Sequence, residues 1–249
     1  MRIDPCLDTI YKGLPTKEAL ENVKKNGLEG FEIWFYRNYD LSELAEEAER
    51  LGLETVNMNN EEVSLADSRM RGKFIEELLK TVRAAKQINC RRITVLSGND
   101  TGEERWEQRA SIVAGLREAA KIGEAEDIQI VIEASNRRVN RPQNYLTSAD
   151  EAFSIIDEVG NPHVKMLYDI YHQQISEGDL LSRILPNLDK IGHFHAAGVP
   201  GRHELHLCEI NYQYMIQKIK EAGYEGWMGL EYFPALNPDV GLNVLKSYL

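Results

Sequence analysis

The 249 residues are 43% hydrophobic and 28% charged, which excludes a disordered or fibrous chain and leaves enough apolar side chains for a large core. A formal net charge of -11 excludes the clustered basic face that a broad phosphate-backbone footprint needs, so the expected partner is a small neutral or weakly anionic molecule and not nucleic acid. Three cysteines, Cys6, Cys90 and Cys208, show no C-x-x-C spacing and suggest neither a disulfide framework nor a zinc knuckle, so a reducing cytoplasm is the expected compartment.

In chain order, the first residues, MRIDPCLDTIY, lack the apolar stretch of a secretory leader, and nowhere do eighteen apolar residues run together, so no membrane partner is expected. Short apolar or β-branched runs then predict eight strands, near 2–6, 30–35, 54–59, 91–97, 128–134, 164–170, 192–197 and 226–233. The stretches between them have helical periodicity. After the second strand, Asp40 and Glu43 open a helix whose stripe is Leu41, Leu44, Ala45 and Ala48. After the third, Phe74, Ile75, Leu78, Leu79, Val82 and Ala85 recur at three- and four-residue steps. Ser148 with Glu151 reads as a capping box after the fifth strand, and Gly27, Gly52, Gly160 and Gly223 follow the last periodic residue of their helices.

Strands alternating with helices, with no linker or low-complexity tract between them, predict an α/β fold of the (β/α)8 TIM-barrel kind. About 250 residues is the usual length of such a barrel, so residues 1–249 read as a single domain. An open doubly wound sheet is the alternative, but no G-x-G-x-x-G follows the first strand.

In a parallel barrel, side chains at the C-terminal ends of the strands converge on one mouth. Here the fifth strand ends in Glu133, the sixth in Asp169, the seventh holds His195 and the eighth carries Glu231. A lone acid at a strand end is often a cap or an ion pair, but three carboxylates buried together are costly unless a cation or protons neutralise them. The set therefore reads as ligands of one divalent metal ion, and an oxygen-rich site with one imidazole suits Mn2+, Mg2+ or Co2+.

His172, three residues past Asp169, is placed to donate a hydrogen bond to a substrate oxygen, with loop capping as the plainer alternative. Arg202, in the loop after the seventh strand, could bind a substrate hydroxyl or carboxylate, against a surface salt bridge. His193 reads as a satisfied core histidine, and Glu32, early in the second strand, as half of a buried structural pair near the barrel bottom. Trp34, Tyr171 and Phe233 could wall the pocket.

The segments YDIYHQQ (168–174), VPGRHE (199–204), EINY (209–212) and GYEGWMGLEYFP (223–234) resemble the hydroxypyruvate isomerase family. That family belongs to the xylose-isomerase-like barrels, with the 2-oxo-tetronate isomerases and ketose 3-epimerases. The resemblance is dense over 128–234 and architectural before that. It implies a metal-dependent aldose-ketose isomerase acting on a small hydroxy-carbonyl compound through an enediolate. Glu133 and Glu231 would be the catalytic pair, with Asp169 and His195 completing the metal site.

Hydroxypyruvate isomerases typically carry Gln where this chain has His195, and sugar epimerases carry His, which makes ketose 3-epimerisation the alternative reaction. The family's IEPIN is here IEASN (132–136), the epimerases' further Glu is here Val139, and NMNNEEV (57–63) lacks a His-Asn-Leu-Pro stretch. A metal-dependent endonuclease would need more than the six histidines present and a basic groove, and a non-catalytic sugar-binding barrel would not need all four ligands. No glycine-rich phosphate loop stands out, which favours an unphosphorylated substrate, and assembly into a homo-oligomer is compatible with the sequence.

Overall fold

A computed structural model describes residues 1–248 and contains eight strands. They are β1 (Arg2–Pro5), β2 (Gly30–Ile33), β3 (Glu54–Asn59), β4 (Arg92–Leu96), β5 (Gln129–Glu133), β6 (Val164–Asp169), β7 (Ile191–Ala196) and β8 (Trp227–Leu230). All their pairings are parallel, in the order β1-β8-β7-β6-β5-β4-β3-β2. A parallel bridge between Cys6, just past β1, and Glu32 of β2 draws the two sheet edges together into a nearly closed TIM barrel.

Parallel strands cannot be joined by tight turns, so helices fill the connections. In chain order these are α1 (Leu7–Ile10), α2 (Thr16–Lys25), α3 (Leu41–Leu51), α4 (Arg71–Gln87), α5 (Arg105–Glu126) and α6 (Ala149–Val159), followed by α7 (Ile170–Ser176), α8 (Leu180–Ile184), α9 (Tyr212–Glu221) and α10 (Pro238–Lys246). Among the described residues, no helix is long and apolar enough to cross a membrane.

The local signals act as their chemistry predicts. Asp40 accepts from the Ser42 and Glu43 amides at 2.9 and 3.2 Å to start α3, and Ser148 accepts from the Glu151 amide at 3.3 Å to start α6. Both helices stop at a left-handed glycine, Gly52 (φ 63°) and Gly160 (φ 66°), where a Cβ would be penalised. Phe74, Leu78, Val82 and Ala85 of α4 are buried, but Leu79, expected in the same stripe, lies on its outer edge and is exposed.

Strand alternation then separates core from site. In β5, Ile130 and Ile132 join the apolar core while Glu133 ends the strand at the mouth. Branched apolar residues usually fill a barrel interior, but this one carries a polar string. Thr94 donates to Asn57 Oδ1 at 3.0 Å, and Asn57 Nδ2 donates to Glu32 Oε2 at 3.3 Å, all three side chains being buried.

Candidate active site

The register of the last strands builds the mouth. Asp169 is the cross-strand partner of His195, and His195 of Gly229, two residues before Glu231. The Glu231 amide donates to Ala196 O at 3.1 Å, which carries the chain one residue further alongside β7. Asp169, His195 and Glu231 each bring a donor atom within 4.8 Å of the others, and Glu133, Asp169 and His172 do the same. Asp169 belongs to both sets, so the four residues expected to hold a metal converge around it. Glu133 Oε1 and His195 Nδ1 are buried and make no well-formed hydrogen bond among the described residues, their polar neighbours being His172 Nε2 at 3.5 Å and Glu231 Oε2 at 3.3 Å. Two poorly satisfied ligand atoms inside a ring of acids are what a divalent cation satisfies, and the residue set fits one.

The acids are held in different protonation states. Burial, with the Asp169 and Glu231 charges, pushes Glu133 up to about 8. Burial pushes Glu231 the same way, but the Arg202 guanidinium and His195 pull it well below the ordinary carboxylate range. His195 is driven by burial toward its neutral form, yet the charges of Glu32 and Glu231 raise it well above an ordinary imidazole. Without a cation, protons on Glu133 and His195 therefore offset part of the negative charge of the cluster.

Both histidines at the mouth have defined orientations. His195 Nε2 lies 3.1 Å from Glu32 Oε2, an acceptor, so that nitrogen carries a hydrogen and Nδ1 faces Glu231 Oε2 at 3.3 Å. His193 Nε2 reaches the same Glu32 oxygen at 3.2 Å. Against the push of burial, His195 and His193 hold Glu32 down at about 2, so its carboxylate is ionised. His172 Nδ1 accepts from the Asn136 backbone amide at 3.1 Å, which puts its hydrogen on Nε2, 3.5 Å from Glu133 Oε1 and 3.6 Å from Asp169 Oδ2. Burial keeps this imidazole neutral, pulling it down to about 4.

Glu231 is clamped from two sides. Trp34 Nε1 donates to its Oε1 at 2.5 Å, and Arg202 donates to its Oε2 and, through Nε at 3.1 Å, to its backbone carbonyl. A cavity of about 280 Å³ opens over Glu133 and Glu231, walled by Trp34, Leu96, Arg141, His172 and Arg202. Tyr171 and Phe233 line a neighbouring cleft instead, with Arg202 stacked 5.2 Å over the Tyr171 ring.

Glu32 is a buried pair member, as its sequence position suggests, but it does not lie at the barrel bottom. β2 is only four residues long, so its third residue is level with Cys6 beyond the end of β1 and lies directly under His195. Two features lie outside the sequence expectations: Trp34 donates to Glu231 in addition to walling the pocket, and Arg141 enters the cavity from a loop. Alternation along GFEIW placed Glu32 and Trp34 on one face, a signal for the first. Nothing local marks the second.

A parallel eight-stranded barrel with three carboxylates and an imidazole gathered at its C-terminal mouth has the architecture of the sugar-isomerase-like barrels. The profile of the xylose isomerase-like TIM barrel family matches residues 20–248, and the chain belongs to that family. It is 33% identical to the hydroxypyruvate isomerase of Escherichia coli (strain K12), covering 100% of this chain and 99% of that protein. It is 37% identical to the 2-oxo-tetronate isomerase of Cupriavidus necator over 171 residues, 68% of this chain and 65% of that one. A crystal structure from Brucella melitensis described as an AP endonuclease of family 2 superposes with a TM-score of 0.94 at 27% identity, over 99% of this chain and 98% of that chain. The chain is thus hydroxypyruvate isomerase-like, and both of these relatives in sequence are isomerases.

Proposed function

We propose that the protein is a divalent-metal-dependent isomerase of a small hydroxy-oxo acid, of the hydroxypyruvate and tartronate semialdehyde or the 2-oxo-tetronate type. The observation that carries this reading is the pair Glu133 and Glu231 beside one cavity, with protonation states pushed apart. A carboxyl group that takes up a proton readily beside one that gives it up readily forms an acid-base pair. The sequence likeness to isomerases of hydroxypyruvate and 2-oxo-tetronate supports the substrate class.

Isomerisation moves two protons, one between the two carbons and one between their oxygens. Glu231 takes the proton from the hydroxyl-bearing carbon, Glu133 takes the hydroxyl proton and delivers it to the neighbouring carbon, and the proton on Glu231 passes to the former carbonyl oxygen; in reverse the roles exchange and both carboxylates end as they began. His172, with its Nε2 hydrogen directed between Glu133 and Asp169, donates to the oxygen on which charge develops. Arg202 and Trp34 fix the Glu231 carboxylate by its two oxygens, and Glu32 fixes the ring of His195. Glu133, Asp169, His195 and Glu231 would hold the cation, manganese, magnesium or cobalt, which would supply Lewis-acid stabilisation of the developing negative charge.

Glu133→Gln and Glu231→Gln are each expected to lower turnover of hydroxypyruvate by about 10²- to 10⁴-fold with the circular dichroism of the fold unchanged. Near-normal turnover in both variants would refute the pair. A screen of three- to six-carbon keto and aldo sugars and hydroxy-oxo acids with added manganese identifies the substrate. His195 favours a second reading, ketose 3-epimerisation. Proton NMR in deuterated buffer separates the two: label at the carbon that changes oxidation level marks an isomerase, and label at a carbon that only inverts marks an epimerase. The net charge of -11 weighs against endonuclease activity.

A further inference from the structure

We propose that Arg141 is the carboxylate-binding residue of the substrate cavity, and that Glu62 occupies its guanidinium fork until an acidic substrate replaces it. The inference deepens the isomerase reading and rests on it for the position of the reacting carbons.

A hydroxy-oxo acid must place those carbons beside Glu133 and Glu231. That end of the cavity, beside Glu133, Asp169 and Glu231, is taken up by the reacting carbonyl and hydroxyl groups. The substrate's own carboxylate must therefore face away from them, toward a cation on another wall. Two guanidinium groups line the cavity. Arg202 is committed, since it donates to the Glu231 side chain and, at 3.1 Å, to the Glu231 backbone carbonyl.

Arg141 is differently placed. Its side-chain hydrogen bonds among the described residues go to the two oxygens of Glu62, at 3.2 and 2.6 Å. This is the paired geometry in which a guanidinium recognises a carboxylate. Glu62 is half exposed and lines the same cavity, and an ion pair open to water contributes little. Releasing the fork from Glu62 thus costs little, and a carboxylate held inside the cavity, away from water, gains more from the same fork than Glu62 does.

The loop between β5 and α6 aims the fork. The Arg141 amide donates to Asn136 O and its carbonyl accepts from the Asn144 amide, both at 3.0 Å. Arg137, on the same loop, donates to Asp100 Oδ2 at 3.0 Å and to the Asn144 carbonyl. Asn136 also holds His172, so the loop registers the carboxylate fork against the proton-transfer end of the cavity. The substrate class that fits is a three- or four-carbon hydroxy-oxo acid, in preference to a neutral sugar.

The test compares the metal-loaded wild type with Arg141→Gln and Glu62→Gln in two measurements. In steady state, Arg141→Gln is expected to raise KM for hydroxypyruvate about 10- to 100-fold with a smaller change in kcat, and to leave the neutral pair glyceraldehyde and dihydroxyacetone unaffected. Glu62→Gln is expected to lower KM for the acid only. Equal effects of Arg141→Gln on acid and neutral compounds overturn the assignment. Calorimetric titration with glycerate, which has the carboxylate and hydroxyls but no carbonyl to react, reads the subsite without turnover. Wild type is expected to bind it at least tenfold more tightly than Arg141→Gln, and no binding, or equal binding, overturns the proposal. Glycerate binding that depends on Arg141, in a protein that does not turn over hydroxypyruvate, upholds the carboxylate subsite and rejects the isomerase reading.

Discussion

At the scale of the residue, the most consequential contact is Glu32 under His195. A neutral imidazole can present a lone pair on either nitrogen, and the partner of one nitrogen decides the state of the other. Glu32 Oε2 takes the Nε2 hydrogen, which turns Nδ1 toward Glu231 and the proposed cation. Glu32→Gln keeps the size of the side chain and removes the charge that fixes this choice. Titration with Mn2+ should show a loss of affinity of about 10- to 100-fold in this variant, with the fold intact. Unchanged affinity would remove Glu32 from the site and leave it a packing residue.

At the scale of the element, β8 is shaped by what lies behind it. A Cβ on Gly229 would stand 2.8 Å from both Glu32 Oε2 and His195 Cδ2, so the strand carries no side chain where β7 and β2 bring their polar groups together. Gly229→Ala forces these groups apart and should cost about 1 to 3 kcal/mol, read as a lower midpoint in thermal unfolding. An unshifted midpoint would mean that the barrel relaxes around the methyl group.

Legibility in the sequence divides along the same line. All eight strands could be read to within three residues, because most are short apolar or β-branched runs beside helices of clear period. The four acidic and imidazole ends were legible because each interrupts or ends such a run. Contacts between distant segments were not: Trp34 and Glu231 lie 197 residues apart, and Arg141 and Glu62 lie 79 apart, in loops whose path no local pattern sets. Leu79 marks the limit of periodicity, since a residue at the edge of a stripe reads the same whether covered or bare.

At the scale of the whole molecule, the barrel axis carries a column of ionisable groups in place of an apolar plug. Burial and the neighbouring Glu32 charge push Asp4 well above the ordinary range, so it is neutral, while Glu32 beside it is ionised by the histidines. Protonation thereby couples stability to the cation. Glu133, raised from 4.5 to about 8, contributes its share of stability in full below pH 4.5 and loses it as pH rises through 8 in the ion-free protein. A cation needs the ionised form, so each displaced proton should strengthen binding about tenfold per pH unit below the raised value. The rise in unfolding temperature on adding Mn2+ to chelator-treated protein is therefore expected to grow from pH 5 to pH 8. A shift of constant size across that range would contradict the raised Glu133.

Asp169 divides its two oxygens between unrelated duties. Oδ1 accepts the His172 amide at 3.0 Å and so begins α7, while Oδ2 looks into the acid cluster. The helix that delivers His172 is thus anchored by the same side chain that faces the chemistry. Architecture and reactivity share one hinge pin, so a change that frees one end of this carboxylate also unseats the other, and drift at this position carries a double penalty.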